Sequence, residues 1–262
     1  MKKYRFLVIL VLFSGIILSC SKDSEETETP KTVVKTGNLK AAGESANDIL
    51  SNVNFDKLKI EIGYVKDFKP STQAISDFIV FLKARTFKEN IEVVYNELAS
   101  SGETDFTIQE IADLEAEERT IYNDEKTLAM YIYFADAPEE GDDSEEGLVT
   151  LGAVYRNTSM VIYESTIKDL AKKGTSISAA TIESATLQHE FAHLFGLVNL
   201  GTAMVTPHED SEAENHCNVQ GCIMRAELQF GSGMKRMLIS KNSAIPSLDA
   251  ACIADLQANG GR

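Results

Sequence analysis

The sequence predicts an α/β (α+β) protein: a mixed, twisted sheet with two or three helices, a central helix, and an irregular C-terminal part ending in a helix. Three observations carry this expectation. Segments of period two and segments of helical period alternate through the first half of the chain. One long amphipathic helix follows at 178–197, and beyond it the periodic signal fades until the last stretch. With 262 residues, 44% of them hydrophobic, there is material for one sizeable core.

Lys57 to Phe68 alternates Leu58, Ile60 and Ile62 with Lys57, Lys59 and Glu61, the pattern of a half-buried strand. Pro70-Ser71-Thr72 opens a helix that carries Ile75, Phe78, Ile79 and Leu82 and closes near Arg85. Asn90 to Leu98 is rich in β-branched residues and reads as a second strand. Thr107 to Tyr122 sets Ile108, Ile111, Ala112 and Leu114 among acids, a second helix. Thr127 to Phe134 is apolar throughout, as a buried central strand should be. Leu148 to Tyr163 reads as one long strand with a bulge at Gly152. Residues 201–217 show little periodicity, and Ser247 to Ala258 closes the chain as a helix with Leu248, Cys252, Ile253 and Leu256 on one face.

The N-terminus reads as an address. Lys2, Lys3 and Arg5 precede the apolar run Phe6 to Leu18. That run is short of the roughly 20 residues a membrane span needs, and suits a signal peptide. Ile17-Leu18-Ser19-Cys20 resembles the lipobox of bacterial lipoproteins. The resemblance implies cleavage before Cys20, palmitate-type lipidation of that cysteine, and an exported chain held on the periplasmic or outer face of the outer membrane. The polar, acidic Ser21 to Lys35 reads as a solvated tether and resembles the export signal of surface-displayed lipoproteins. The organisation expected is a signal peptide at 1–19, a flexible tether at 20–50 and a folded domain at 51–262. Forty acidic against 25 basic residues give a formal charge of −15, which argues against nucleic acid as a partner. Glu139 to Glu146 holds six acids but no cation-ligand spacing, and is expected to be a solvated loop.

The chemistry sits in Gln188-His189-Glu190-Phe191-Ala192-His193-Leu194-Phe195-Gly196. Helical positions i and i+4 share a face, so His189 and His193 can grip one metal ion. Glu190 lies beside them, where its carboxylate can take a proton from water activated by the metal. Gly196 offers the left-handed turn that stops the helix just past the second ligand. A catalytic zinc needs a third protein ligand and one open position. His216, His208 and a glutamate (Glu209, Glu212 or Glu214) are the candidates.

This pattern resembles the metzincin metallopeptidases, whose motif is H-E-x-x-H-x-x-G-x-x-H, although Asn199 stands at the third-ligand position. Downstream, His216-Cys217-Asn218-Val219-Gln220-Gly221-Cys222-Ile223-Met224 resembles the archaemetzincins, in which the third histidine is followed at once by H-C-x4-C-x-M. The resemblance implies a metzincin-like fold, one catalytic Zn2+ on His189, His193 and His216, and an insertion between Asn199 and His216. It also implies Met224 in a Met-turn supporting the site by packing. Members of that family hold a second zinc on four cysteines, whereas only Cys217, Cys222 and Cys252 remain here besides Cys20. A Cys217–Cys222 disulfide with Cys252 buried and free is therefore expected, a bond from Cys252 to either of them being the alternative.

The function expected is a monomeric zinc endopeptidase that hydrolyses peptide or protein substrates, with Glu190 as general base and acid. The strand before the zinc helix is expected to pair with an extended substrate. A catalytically silent surface lipoprotein that uses the same fold to bind protein or glycan is the rival reading.

Overall fold

A computed structural model describes residues 34–143, 149–173, 177–240 and 244–262. Cys20, the leader and much of the expected tether lie outside these residues, as does part of the acid run. Among the described residues no helix is long and apolar enough to cross a membrane.

The alternating and apolar segments form the five-stranded sheet. β1 (Lys57–Val65) runs parallel to β2 (Asn90–Leu98) on one side and to β3 (Thr127–Phe134) on the other. β5 (Ser159–Ile162) is parallel to β3, and β4 (Gly152–Arg156) is antiparallel to β5. The order β2-β1-β3-β5-β4 leaves β4 at an edge of this mainly parallel sheet. β1 is not half-exposed as its alternation suggests. Glu61 is fully buried, and its carboxylate accepts the N–H groups of Thr120 and Ile121 at 3.0 and 2.8 Å, which offsets the cost of burying the charge.

The 148–163 stretch, expected as one strand, is a hairpin that turns at Asn157-Thr158. Asn157 anchors the turn on the N-terminal segment, donating from Nδ2 to Gly37 O (2.8 Å) and Ser45 Oγ (2.7 Å). That segment belongs to the fold, although residues up to 50 were expected to be tether. A 3-10 turn at Thr36–Asn38 and helix α1 (Ala46–Leu50) pack onto the sheet, with Asn38, Ile49 and Leu50 fully buried. The buried Lys88 ammonium donates to the carbonyls of Asp48, Ser51 and Phe55, closing the C-terminal end of α1.

Helices cover both faces of the sheet. α3 (Ile108–Glu118) opens on a capping box between Thr107 and Glu110 and packs with Phe106, Ile111, Tyr131 and Tyr133 on one face. On the other face α2 (Thr72–Arg85) lies against α5 (Ala179–Leu194), with Phe78 on Phe191 (5.1 Å) and Phe81 on Phe195 (5.8 Å between centroids). α5 is capped by Ser178, whose Oγ accepts Thr181 N–H, and is apolar nearly all round because neighbours enclose it. It ends as the sequence suggests. Gly196 has φ +71°, Gly196 N–H donates to His193 O and Leu197 N–H to Ala192 O, a Schellman stop.

α4 (Glu164–Lys172), which was not anticipated from the sequence although Ile167 and Leu170 recur at helical spacing among polar residues, buries Glu164 completely beside Glu183 of α5. Burial, then the Glu183 carboxylate, push the Glu164 carboxyl up to about 9. Between pH 4.5 and 9 the native chain therefore holds a proton that the unfolded chain has released. Stability from this group is complete below pH 4.5 and drains as pH rises, by up to about 1.4 kcal/mol per pH unit. Glu164→Gln is expected to remove that slope, raising the urea midpoint at pH 8 and leaving it little changed at pH 5. Parallel pH profiles for the two proteins would refute the assignment.

After α5 the chain forms a short hairpin, β6 (Glu209–Asp210) with β7 (Ala213–Cys217), where only irregular structure was expected. A 3-10 turn at Ala226–Leu228, α6 (Gly231–Ser240) and α7 (Ala250–Ala258) complete it. α7 begins three residues later than expected because Asp249 caps it, accepting the N–H groups of Ala251 (2.6 Å) and Cys252 (3.3 Å) at Oδ1.

Candidate metal centres

His189 and His193 project from the last two turns of α5 with ring centroids 4.9 Å apart. β7 brings His216 to them, 5.4 Å from His189 and 4.9 Å from His193. A ring nitrogen of each lies within 4.8 Å of the other two, and all three side chains are buried. Asn199 is exposed, with φ +66°.

Orientation follows from hydrogen bonds. A carbonyl can only accept, so His189 Nδ1 carries the proton it donates to Ile223 O (2.7 Å), and His216 Nδ1 likewise donates to Glu214 O (2.8 Å). The Nε2 atoms of both rings and His193 Nδ1 are buried and have no hydrogen-bond partner among the described residues. Burial, reinforced by neighbouring histidine rings, lowers the His189 pKa to about 3 and drives His193 well down, so both are neutral donors. Three imidazoles that each bring one ring nitrogen within 4.8 Å of the other two fit a zinc ion with a fourth position open.

Glu190 completes this cluster. Its Oε1 is 4.0 Å from His189 Nε2, buried and without a hydrogen bond. Burial raises its carboxyl to about 8, and a divalent cation alongside would pull it back down. The edge strand approaches here: a Cβ on Gly152 would lie 2.7 Å from Glu190 Cγ, 3.0 Å from Thr186 Cγ2 and 3.1 Å from Val161 O.

His208 is not part of the trio. Its Nδ1 donates to Thr206 O (2.8 Å), and Nε2 lies 3.5 Å from both Cys252 Sγ and Asp255 Oδ2. Among the glutamates weighed as ligands, Glu214 faces the trio through its backbone carbonyl, and Glu209 accepts Asn215 N–H at 2.8 Å.

The cysteines form a second cluster, which corrects the disulfide expectation. Cys217, Cys222 and Cys252 are all free and buried, so neither the Cys217–Cys222 bond nor a bond from Cys252 is formed. With Asp249 they place three sulfurs and a carboxylate oxygen within 4.8 Å of one another. Cys217 Sγ is 3.0 Å from Asp249 Oδ2, and Cys222 Sγ is 3.7 Å from Cys252 Sγ. Val219 N–H points at Cys217 Sγ and Met224 N–H at Cys222 Sγ, both at 3.4 Å, a setting that stabilises thiolates. Hydrogen bonds from Cys217 and Cys252 draw the Cys222 thiol down to about 4. Two thiols making a bond need only each other; four donors converging on one point fit a tetrahedral metal ion.

Asp249 is the residue that the sequence reading missed. Its signal was present, since Asp249-Ala250-Ala251-Cys252 has the i, i+3 spacing of paired metal donors at a helix start. The expectation counted cysteines only.

No family model matches the sequence, and no curated protein matches it. Among solved structures the chain is similar to the crystal structure of the archaemetzincin of Methanopyrus kandleri, with 14% identity and a TM-score of 0.47, over 79% of this chain and 96% of that one.

Proposed function

We propose that this chain is a zinc-dependent endopeptidase, exported and anchored by lipid at Cys20. The observation that supports it most is the trio His189, His193 and His216 with the buried Glu190 carboxylate against it, whose Oε1 has no hydrogen-bond partner among the described residues. Zinc on those imidazoles would supply Lewis acidity, polarising a peptide carbonyl and acidifying water. Glu190 Oε1 is placed to accept the proton as water attacks and to return it to the departing amine nitrogen. The hydrophobic enclosure of α5 fixes His189, Glu190 and His193 as one rigid unit, and the Ile223 and Glu214 carbonyls fix two of the ring orientations. In the same reading Cys217, Cys222, Asp249 and Cys252 hold a second, structural ion in place of the single ion first expected. The leader and lipidation part of the reading rests on the sequence alone.

β4, at the sheet edge beside Glu190, suits pairing with an extended peptide. Gly152→Ala is expected to displace Glu190, because the backbone carbonyl of Val161 cannot yield. Cleavage should fall at least about tenfold, with a stability loss of about 1–3 kcal/mol by urea denaturation. Unchanged cleavage would place Gly152 outside the working geometry. The proposed activity is tested with a casein or quenched-peptide assay of the full chain. Cleavage should stop with a zinc chelator and return when zinc is added back. Chelator-insensitive cleavage, or none at all in the zinc-loaded chain, would overturn the reading; the second result would favour a silent binding protein.

A further inference from the structure

The two donor clusters share backbone. His216 belongs to one and Cys217, the next residue, to the other, so their Cα atoms are about 3.8 Å apart. Cys222 belongs to the cysteine cluster, and the carbonyl that orients His189 is that of Ile223, again the next residue. The two short segments are tied to each other: Cys217 N–H donates to Met224 O at 2.7 Å. The second is also pinned to the approach to α7, through Ile223 N–H on Ser247 O (3.0 Å). Asp249 faces Cys217 through Oδ2 while its other oxygen is held by the start of α7.

The enclosed helix α5 fixes the backbone of His189 and His193, so only the ring orientation of His189 draws on the Ile223 carbonyl. His216 lies on no helix. It arrives at the end of a segment that holds Val198, Asn199 and Asn215 at positive φ and a strand, β6, of only two residues. His216 sits in β7, and the sheet that carries it has two strands, β7 and the two-residue β6.

We infer that the cysteine cluster, once it holds a metal ion, is the positioning element of the histidine centre: it sets His216 directly and the ring of His189 through the Ile223 carbonyl. This rests on the reading of both clusters as metal centres given above. A metal on Cys217, Cys222, Asp249 and Cys252 locks the 216–217 and 222–224 segments in one geometry. The histidine centre then binds its own ion in a ready-made frame, so the cysteine centre fills first and filling it tightens the other. Outer-shell groups that hold ligating histidines typically change metal affinity about 10- to 100-fold, and that is the coupling expected.

The test is a cobalt(II) titration of the full chain, stripped of metal and kept reduced. Thiolate-to-cobalt absorption in the near ultraviolet reports the cysteine centre, and visible bands that grow with no further rise in that absorption report the histidine centre. In the wild-type chain the thiolate signal should saturate before the histidine signal develops. In Cys252→Ser, which leaves all three histidines intact, the histidine centre should bind cobalt about 10- to 100-fold more weakly, while Asp249→Cys should keep wild-type affinity. A residue that only stabilised the fold would lower the melting temperature and leave cobalt affinity unchanged in the folded chain. Should Cys252→Ser fail to fold, Asp249→Ala, which retains every thiol, is expected to show the same weakening. Affinity within about twofold of wild type in a folded variant would overturn the inference. So would a wild-type chain that loads cobalt at the histidines with no thiolate signal, a result that leaves the peptidase reading standing. Thiolate binding with no cobalt at the histidines would overturn both.

Discussion

Glu190→Gln is expected to slow peptide cleavage by about 10²- to 10⁴-fold, the usual contribution of a general acid–base group. The substitution keeps shape and hydrogen-bonding reach but removes the ability to hold a proton during attack. Glu190 is not one of the three imidazole donors, so the variant should keep its zinc content, and the loss should fall on kcat. Its buried position strengthens the expectation, since among the described residues its Oε1 has no hydrogen-bond partner that glutamine would disturb. Cleavage within about tenfold of wild type, at equal zinc content, would show that another group carries the proton.

His216→Ala is expected to remove the catalytic metal and with it essentially all activity. Two imidazoles from one helical turn leave a zinc ion short of the three protein ligands of catalytic sites. His208→Ala should behave differently: its ring lies 3.5 Å from Cys252 Sγ, not with the trio, so the histidine centre should keep its ion and its activity. Zinc content measured by plasma emission, together with peptide cleavage, checks both. If His208→Ala lost the catalytic ion and His216→Ala retained it, the assignment of the third ligand would be reversed.

Much of this was legible in the residues. His189, Glu190 and His193 are placed by helical period alone, and Gly196 marks the end of their helix because only a left-handed residue closes it there. The sheet was legible where burial is simple: Thr127 to Phe134 is apolar because it is enclosed on both faces. Legibility failed where the partner is distant. Glu61 is polar and yet buried, since the amides of Thr120 and Ile121 meet its carboxylate. Asn157-Thr158-Ser159 is a turn signal between two apolar runs that was read through as strand, and the anchors of that turn, Gly37 and Ser45, are far away in sequence. The β6–β7 hairpin is set by packing, whereas α4 carries a helical period that was passed over in a short polar stretch. The cysteines were read pairwise as a bond, when Asp249 from another element completes a group of four.

The most direct measurement is an anomalous-difference map at the zinc edge from crystals of the zinc-loaded chain. A peak about 2.0–2.1 Å from one ring nitrogen each of His189, His193 and His216, with Glu190 beside it, is the result expected. Zinc bound elsewhere, with those three rings left without metal, would contradict it.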